Sequence, residues 1–266
     1  MEDRFVNVSD GTKLHYLTGG EGEQTIVFVH GWCSNATHFE AQLTAFSETH
    51  RVLAVDRRGH GKSEAPEHGY NAQQHANDLA AVLDHEKIAS AVIVGHAGGC
   101  PSVLQFANDA PDRCEALVLL DTRISAKADL RGSDSDSPLA AMVSSIADDE
   151  AFEQIYRGFI SDRRPELADG VVSAALRVPR RVAQADLASI AIDTVSLAKS
   201  VHCPVLWLTA EPVDEVLLSS IVRDVRFHQV SDSGHFVQLE VPDQVNTAIT
   251  SFFKTGLENP ERDNQP

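Results

Sequence analysis

Apolar positions along the chain fall into two alternating rhythms. The runs Thr25-Ile-Val-Phe-Val-His30, Val52-Leu-Ala-Val-Asp56, Ala91-Val-Ile-Val94 and Ala116-Leu-Val-Leu-Leu-Asp121 are almost continuously apolar, as strands covered on both faces must be. Between them, apolar residues recur at helical spacing, as in Phe39, Leu43 and Phe46, in Ala76, Leu79, Val82 and Leu83, and in Val103, Leu104, Phe106 and Ala107. At the start, Phe5 to Val8 and Leu14 to Leu17 instead alternate apolar with polar around Ser9-Asp-Gly11, which predicts an antiparallel hairpin at a sheet edge. Strand runs resume at Pro204-Val-Leu-Trp-Leu208 and Val225 to Val230, before a last helix carrying Val241, Val245, Ile249 and Phe252. The sum is an α/β fold with a mostly parallel eight-stranded sheet and helices on both faces. Right-handed crossovers bring the carboxyl ends of parallel strands to one edge, where ligands bind.

From Thr122 to Ser200 the rhythm is helical without strand runs, and it includes the low-complexity stretch Gly132-Ser-Asp-Ser-Asp-Ser-Pro138. This segment, 122–200, reads as a helical cap inserted after the sixth strand, with 1–121 and 201–266 forming the core domain. Met142, Ile146, Phe152, Ile155, Tyr156, Phe159 and Ile160 either roof a site or form the cap's own core. The polar tail from Glu258 is expected to fray.

Composition narrows the partners. A chain of 266 residues, 42% hydrophobic and 23% charged, can bury one large core with an insertion. A formal net charge of −17 argues against nucleic acid or an anionic membrane, leaving a small-molecule substrate. No apolar run nears the roughly 20 residues of a membrane span. The start Met1-Glu-Asp-Arg-Phe5 lacks the basic-then-apolar pattern of a secretory signal, so a cytoplasmic protein is expected. Cys33, Cys100, Cys114 and Cys203 are scattered without C-x-x-C spacing, the pattern of buried thiols rather than a zinc site or disulfide frame. No metal is expected.

The chemistry centres on Ala91-Val-Ile-Val-Gly-His-Ala-Gly-Gly-Cys100, a strand that breaks into glycines and leads into a helix. Gly95-x-Ala97-x-Gly99 has the frame of a nucleophile elbow, G-x-S-x-G, whose small residues permit a sharp turn. Alanine occupies the tip, and a methyl group cannot form an acyl intermediate. His30, Asp56, Ala97 and Asp121 all fall at strand carboxyl ends.

His30-Gly-Trp32, Asp56-Arg-Arg-Gly-His-Gly-Lys-Ser63, the elbow and Gly234-His235 stand in the order in which the α/β-hydrolase superfamily carries its landmarks. The chain resembles that superfamily over nearly its whole length. The resemblance implies that His235 is the general base and that the backbone N–H groups of Trp32 and Gly98 form an oxyanion hole. For the acid that orients His235 the favoured position is Asp121, with Asp214 as the alternative. Asp121 ends the sixth strand, while Asp214 closes Thr209-Ala-Glu-Pro-Val-Asp214, which lacks the usual glycine and carries a proline. Trp32, His38, His96 and Phe236 are the candidate substrate contacts. His30 and His60 are expected to hold loops, and Cys33 and Cys100 are not expected to replace the nucleophile. Arg163, Arg164, Arg180 and Arg181 either attract an anionic substrate or pair on the cap surface.

Three functions fit alanine at the tip. The first is an ester, lactone or carbon–carbon-bond hydrolase of this lineage, silent or nearly so without its serine and acting on a small, largely apolar carbonyl compound. The second follows from Gly31-Trp-Cys33, Arg58-Gly-His-Gly61, Gly69-Tyr70, and His235-Phe236 followed by Val241-Pro-Asp243. These stretches resemble the cofactor-free dioxygenases that open 3-hydroxy-4-quinolone rings, in which a His–Asp dyad deprotonates the substrate and its anion reacts with dioxygen. That family keeps serine at the elbow, where this chain has Ala97. The third is a ligand-binding pseudoenzyme. None requires a cofactor.

Overall fold

A computed structural model describes residues 1–126, 142, 146–190 and 192–256. The low-complexity stretch Gly132 to Pro138 and the tail from Glu258 lie outside the described residues. The sheet contains β1 (Glu2–Asn7), β2 (Lys13–Gly19), β3 (Thr25–Val29), β4 (Arg51–Val55), β5 (Ala91–His96), β6 (Cys114–Leu120), β7 (Val205–Thr209) and β8 (Val225–Gln229), in the order β1-β2-β4-β3-β5-β6-β7-β8. β1 and β2 form the expected hairpin, with Phe5 opposite His15, and β2 runs antiparallel to β4; all later pairings are parallel. The α/β architecture read from periodicity is the one observed.

Alternation along the strands divides the core. On β3, Val27 and Val29 join a cluster with Leu53, Ile93, Leu104 and Trp207. Ile26 and Phe28 point to the opposite face, with Phe39, Leu43, Val94 and Ile249. Both faces are therefore apolar, which is why these strands read as continuous hydrophobic runs. The covering helices include α1 (Glu40–Phe46), α2 (Ala72–His85) and α3 (Cys100–Asp109).

Between β6 and β7 the described residues form α4 (Asp149–Gly158), α5 (Ala168–Leu176), α6 (Arg180–Ile190) and α7 (Thr194–Lys199). α4 begins where Asp148 accepts hydrogen bonds from the N–H groups of Glu150 and Ala151, with Asp149 and Glu150 in its first turn. Cap and acidic residues both complement the helix N-terminus. Phe152 and Tyr156 of α4, with Val171, Val182 and Leu187, share a third apolar cluster with Trp32, Tyr70 and Phe236 from the loops at the strand ends.

Polar contacts fix these helices to the sheet. Asp186 of α6 is fully buried and accepts two hydrogen bonds from Arg57 Nη1 and Nη2, at 3.0 and 2.5 Å. His75 Nε2 lies 3.2 Å from the same carboxylate. Trp32 Nε1 donates to the Ala183 carbonyl at 2.8 Å, and Tyr156 Oη donates to the Trp32 carbonyl at 2.8 Å. No helix among the described residues is long and apolar enough to cross a membrane.

Removing one partner of a buried ion pair strands the other charge, which costs about 3–5 kcal/mol. Asp186→Ala should lower the unfolding free energy by about that amount in urea titrations. Glu153→Ala, which breaks the exposed pair with Arg157, should cost under about 0.5 kcal/mol.

Candidate active site

β5 ends at His96, and Ala97 leaves it in the left-handed region, with φ +47°, before a 3-10 turn at Ala97–Gly99 runs into α3. A non-glycine residue there is strained, and the neighbours make the bend possible. A Cβ on Gly99 would stand 2.5 Å from the His30 carbonyl oxygen, and one on Gly95 would stand 2.8 Å from Val103 Cγ2. A Cβ on Gly31 would lie 3.2 Å from the Ala97 methyl, so the His30-Gly31 turn runs beside the elbow tip.

Opposite, His235 Nδ1 lies 2.6 Å from Asp121 Oδ2. The other carboxylate oxygen accepts the Ala210 N–H at 2.9 Å, and the Asp121 N–H donates to Leu208 at 2.7 Å. Burial raises the Asp121 carboxyl, but the hydrogen bond and charge of His235 outweigh it and hold the group below the usual carboxylate range. With Nδ1–H bound to a carboxylate, the lone pair of a neutral imidazole sits on Nε2. The His235 N–H donates to the Phe159 carbonyl at 2.7 Å, and His96 Nε2–H donates to the His235 carbonyl at 2.9 Å. The two histidine rings stand 4.9 Å apart. Burial first, then the charge of His235, pushes His96 down to about 3, so it stays a neutral donor.

The structure thus brings Asp121 to the imidazole. Asp214, the alternative acid, caps the helix Glu215–Ile221 instead, its Oδ1 accepting the Leu217 N–H at 2.9 Å. An aspartate just ahead of a helix is held by the unpaired amides there. His38 also departs from expectation. It is buried, bonded to Ser34 and edge-on to Phe236 at 5.7 Å, and it is not among the cavity walls.

Ala97, Gly98, Trp32, His96, Phe236, Asp121 and His235 do share one cavity, of about 540 Å³. Tyr156, Phe159 and Leu187, from the segment between β6 and β7, complete its apolar walls. Two further charged residues, Arg123 and Glu211, line it without having been anticipated. They directly follow the ends of β6 and β7, the edge that crossover geometry marks as the ligand side, so position alone could have found them. The other four arginines that could attract an anion, Arg163, Arg164, Arg180 and Arg181, are engaged elsewhere. Arg163 pairs with Asp232, Arg164 with Glu166 and Arg180 with Asp149, while Arg181 donates to the Ala65 and Pro66 carbonyls. Burial pushes the Cys100 thiol up to about 12 and raises Cys33 further, so neither supplies a thiolate. Among the described residues no group of three or more His, Cys, Asp or Glu side chains could hold a metal ion.

The profile described as "Alpha/beta hydrolase family" matches residues 26–248. The 2-(acetamidomethylene)succinate hydrolase of Mesorhizobium japonicum is 28% identical over 248 residues, 85% of this chain and 87% of that protein. The non-heme haloperoxidase of Rhodococcus erythropolis is 39% identical over 103 residues, 38% of this chain, and the match spans only 37% of that protein's length. Among solved structures, Est816, described as an N-acyl homoserine lactone degrading enzyme, superposes with a TM-score of 0.82 at 28% identity, covering 94% of this chain and all of that one.

The buried histidines set a pH dependence. His96 is held near 3, and burial pushes His38 and His75 to about 4. Each returns to an ordinary value near 6.5 on unfolding, so below that pH the unfolded chain binds more protons. The stability these neutral rings contribute is full above about pH 6.5 and is lost as pH falls toward their native values. Urea midpoints should drop between pH 7.5 and pH 5, with about 2 kcal/mol of the loss traceable to His96 alone. His96→Phe should make the decline shallower.

Proposed function

Because this chain belongs to the alpha/beta hydrolase family, we propose that its cavity binds a small, largely apolar carbonyl compound of the ester, lactone or carbon–carbon-bond class. Ala97 in place of serine leaves it inactive, or nearly so, as a serine hydrolase. His235 is the general base, Asp121 orients it, and the N–H groups of Trp32 and Gly98 receive developing negative charge on the carbonyl oxygen. Gly98 lies in the first turn of a helical run, where backbone donors have no partner within the turn. The helices of 122–200 act as a cap over a core of 1–121 and 201–266, with Tyr156, Phe159 and Leu187 excluding water.

The observation that carries this reading is the 2.6 Å His235–Asp121 bond on the wall of an apolar cavity whose tip is a methyl group. Its geometry matches a general base with its orienting acid. The names of the relatives support hydrolysis as the ancestral chemistry, since one acts on 2-(acetamidomethylene)succinate and another degrades an N-acyl homoserine lactone. Without a nucleophile, the hole, the base and binding itself leave about 10³–10⁴-fold over water in serine hydrolases stripped of a triad member. A net charge of −17 supports a small-molecule partner rather than nucleic acid or an anionic membrane, and the proposed steps use no cofactor.

A second reading is favoured by the same dyad. Cofactor-free ring cleavage of 3-hydroxy-4-quinolone compounds needs a base and an acid but no covalent nucleophile, and Asp121 supplies the acid from the sixth strand. A protein that only binds its ligand needs neither.

Ala97→Ser should raise hydrolysis of p-nitrophenyl esters by about 10³-fold or more, and His235→Ala in that background should abolish the gain. If the serine variant gains nothing, while the unmodified protein consumes oxygen on 3-hydroxy-4-quinolones in a His235-dependent way, the dioxygenase reading replaces the hydrolase one.

A further inference from the structure

Arg123 lines the same cavity as Ala97 and His235, and no carboxylate among the described residues pairs with its guanidinium. Arg177, Arg223 and Arg226 form no carboxylate pair among the described residues either, but of these four Arg123 is the one that lines the cavity. Buried Arg57 and Arg58 are each held by aspartates, and the exposed Arg157 and Arg163 pair with carboxylates. Glu211 lines the cavity too yet forms no ion pair with Arg123. An arginine without a carboxylate partner, on the wall of a cavity it shares with Tyr156, Phe159 and Leu187, presents five donors in a planar fork that fits a carboxylate with two parallel hydrogen bonds.

Backbone geometry holds this residue in place. Two residues before it, Asp121 is tied to His235, Ala210 and Leu208. Two residues after it, the Ser125 N–H donates to Thr194 Oγ1 at 2.8 Å, and the Ser125 carbonyl accepts from Val195 at 3.3 Å. The chain carrying Arg123 is therefore pinned between the dyad and α7. Consecutive Cα atoms are about 3.8 Å apart, so the Arg123 backbone lies within about 8 Å of the backbone of the acid that orients the base.

We propose that Arg123 anchors a carboxylate of the substrate. The inference rests on the reading of the cavity as the site for a small carbonyl compound, and it narrows that class to compounds bearing a carboxylate a few bonds from the reacting carbonyl. Arg123 and Glu211 then act together, the first attracting the acid group and the second opposing its placement at the β7 side of the cavity.

Calorimetric titration of the protein with hexanoate, octanoate and 3-phenylpropanoate, each beside its neutral primary amide, tests this directly. The carboxylates should bind about tenfold or more tightly than the amides. Arg123→Gln should remove that preference while leaving amide affinity unchanged, and Arg123→Lys should restore part of it. Because Arg123 is exposed, the variants should keep the unmodified protein's thermal midpoint. Equal binding of acids and amides, or a preference that survives Arg123→Gln, overturns the carboxylate anchor and leaves the apolar cavity reading standing. If no acid and no amide binds, the cavity reading falls, and this proposal falls with it.

Discussion

The bend at Ala97 is the constraint on which the site depends. A non-glycine residue at φ +47° costs roughly 1–3 kcal/mol, and the surrounding backbone must approach closely enough to hold it there. Gly99 lies against the His30 carbonyl at a separation that leaves no room for a side chain, and Gly31 lies close beside the Ala97 methyl. The tight packing of β3's end against the end of β5 fixes where the tip points and where the first amides of the following helix lie. Alanine bears the same backbone strain that serine would, and the geometry around the tip is complete without a nucleophile.

The base is held from several sides. Asp121 sits at φ +43° and is gripped by the backbone of β7 and the residue after it, so the acid inherits the rigidity of the sheet. His235 takes its backbone position from Phe159, in the segment between β6 and β7, and from His96 at the elbow. A charge-assisted hydrogen bond contributes about twice what a neutral one does, whereas exposed pairs such as Arg157 with Glu153 contribute little. Arg57 and Asp186 matter more to architecture, because they tie α6 to the loop after β4 without touching the dyad.

Electrostatics follow from burial. Imidazoles at positions 30, 60, 75 and 96 are driven toward neutrality by desolvation, which makes them hydrogen-bonding struts rather than charges. His96 is the informative case. Its ring packs beside His235, yet it remains neutral, so a proton taken up by the dyad meets no competing cation in the elbow strand.

Much of this was legible in one dimension. Continuous apolar runs, helical spacing and the glycine frame around Ala97 are local patterns, and they specify the strands, the helices and the elbow because side-chain period and backbone freedom are local properties. The sequence favours Asp121 over Asp214, whose stretch lacks the usual glycine and carries a proline, but both follow a strand, and only the fold shows which one meets the imidazole. His235 meets a partner 114 residues away because β6 lies between β5 and β7, while Asp214 is drawn to the amides of its own helix. His38 sits buried, bonded to Ser34 and edge-on to Phe236, an orientation that no spacing reveals. Arg123 reads in sequence as an ordinary loop charge. The chain by itself determined which elements form and where they bend. Only tertiary packing decided which polar groups meet and which charges line the cavity, because that depends on strand order and on the cost of burying charge between segments far apart in sequence.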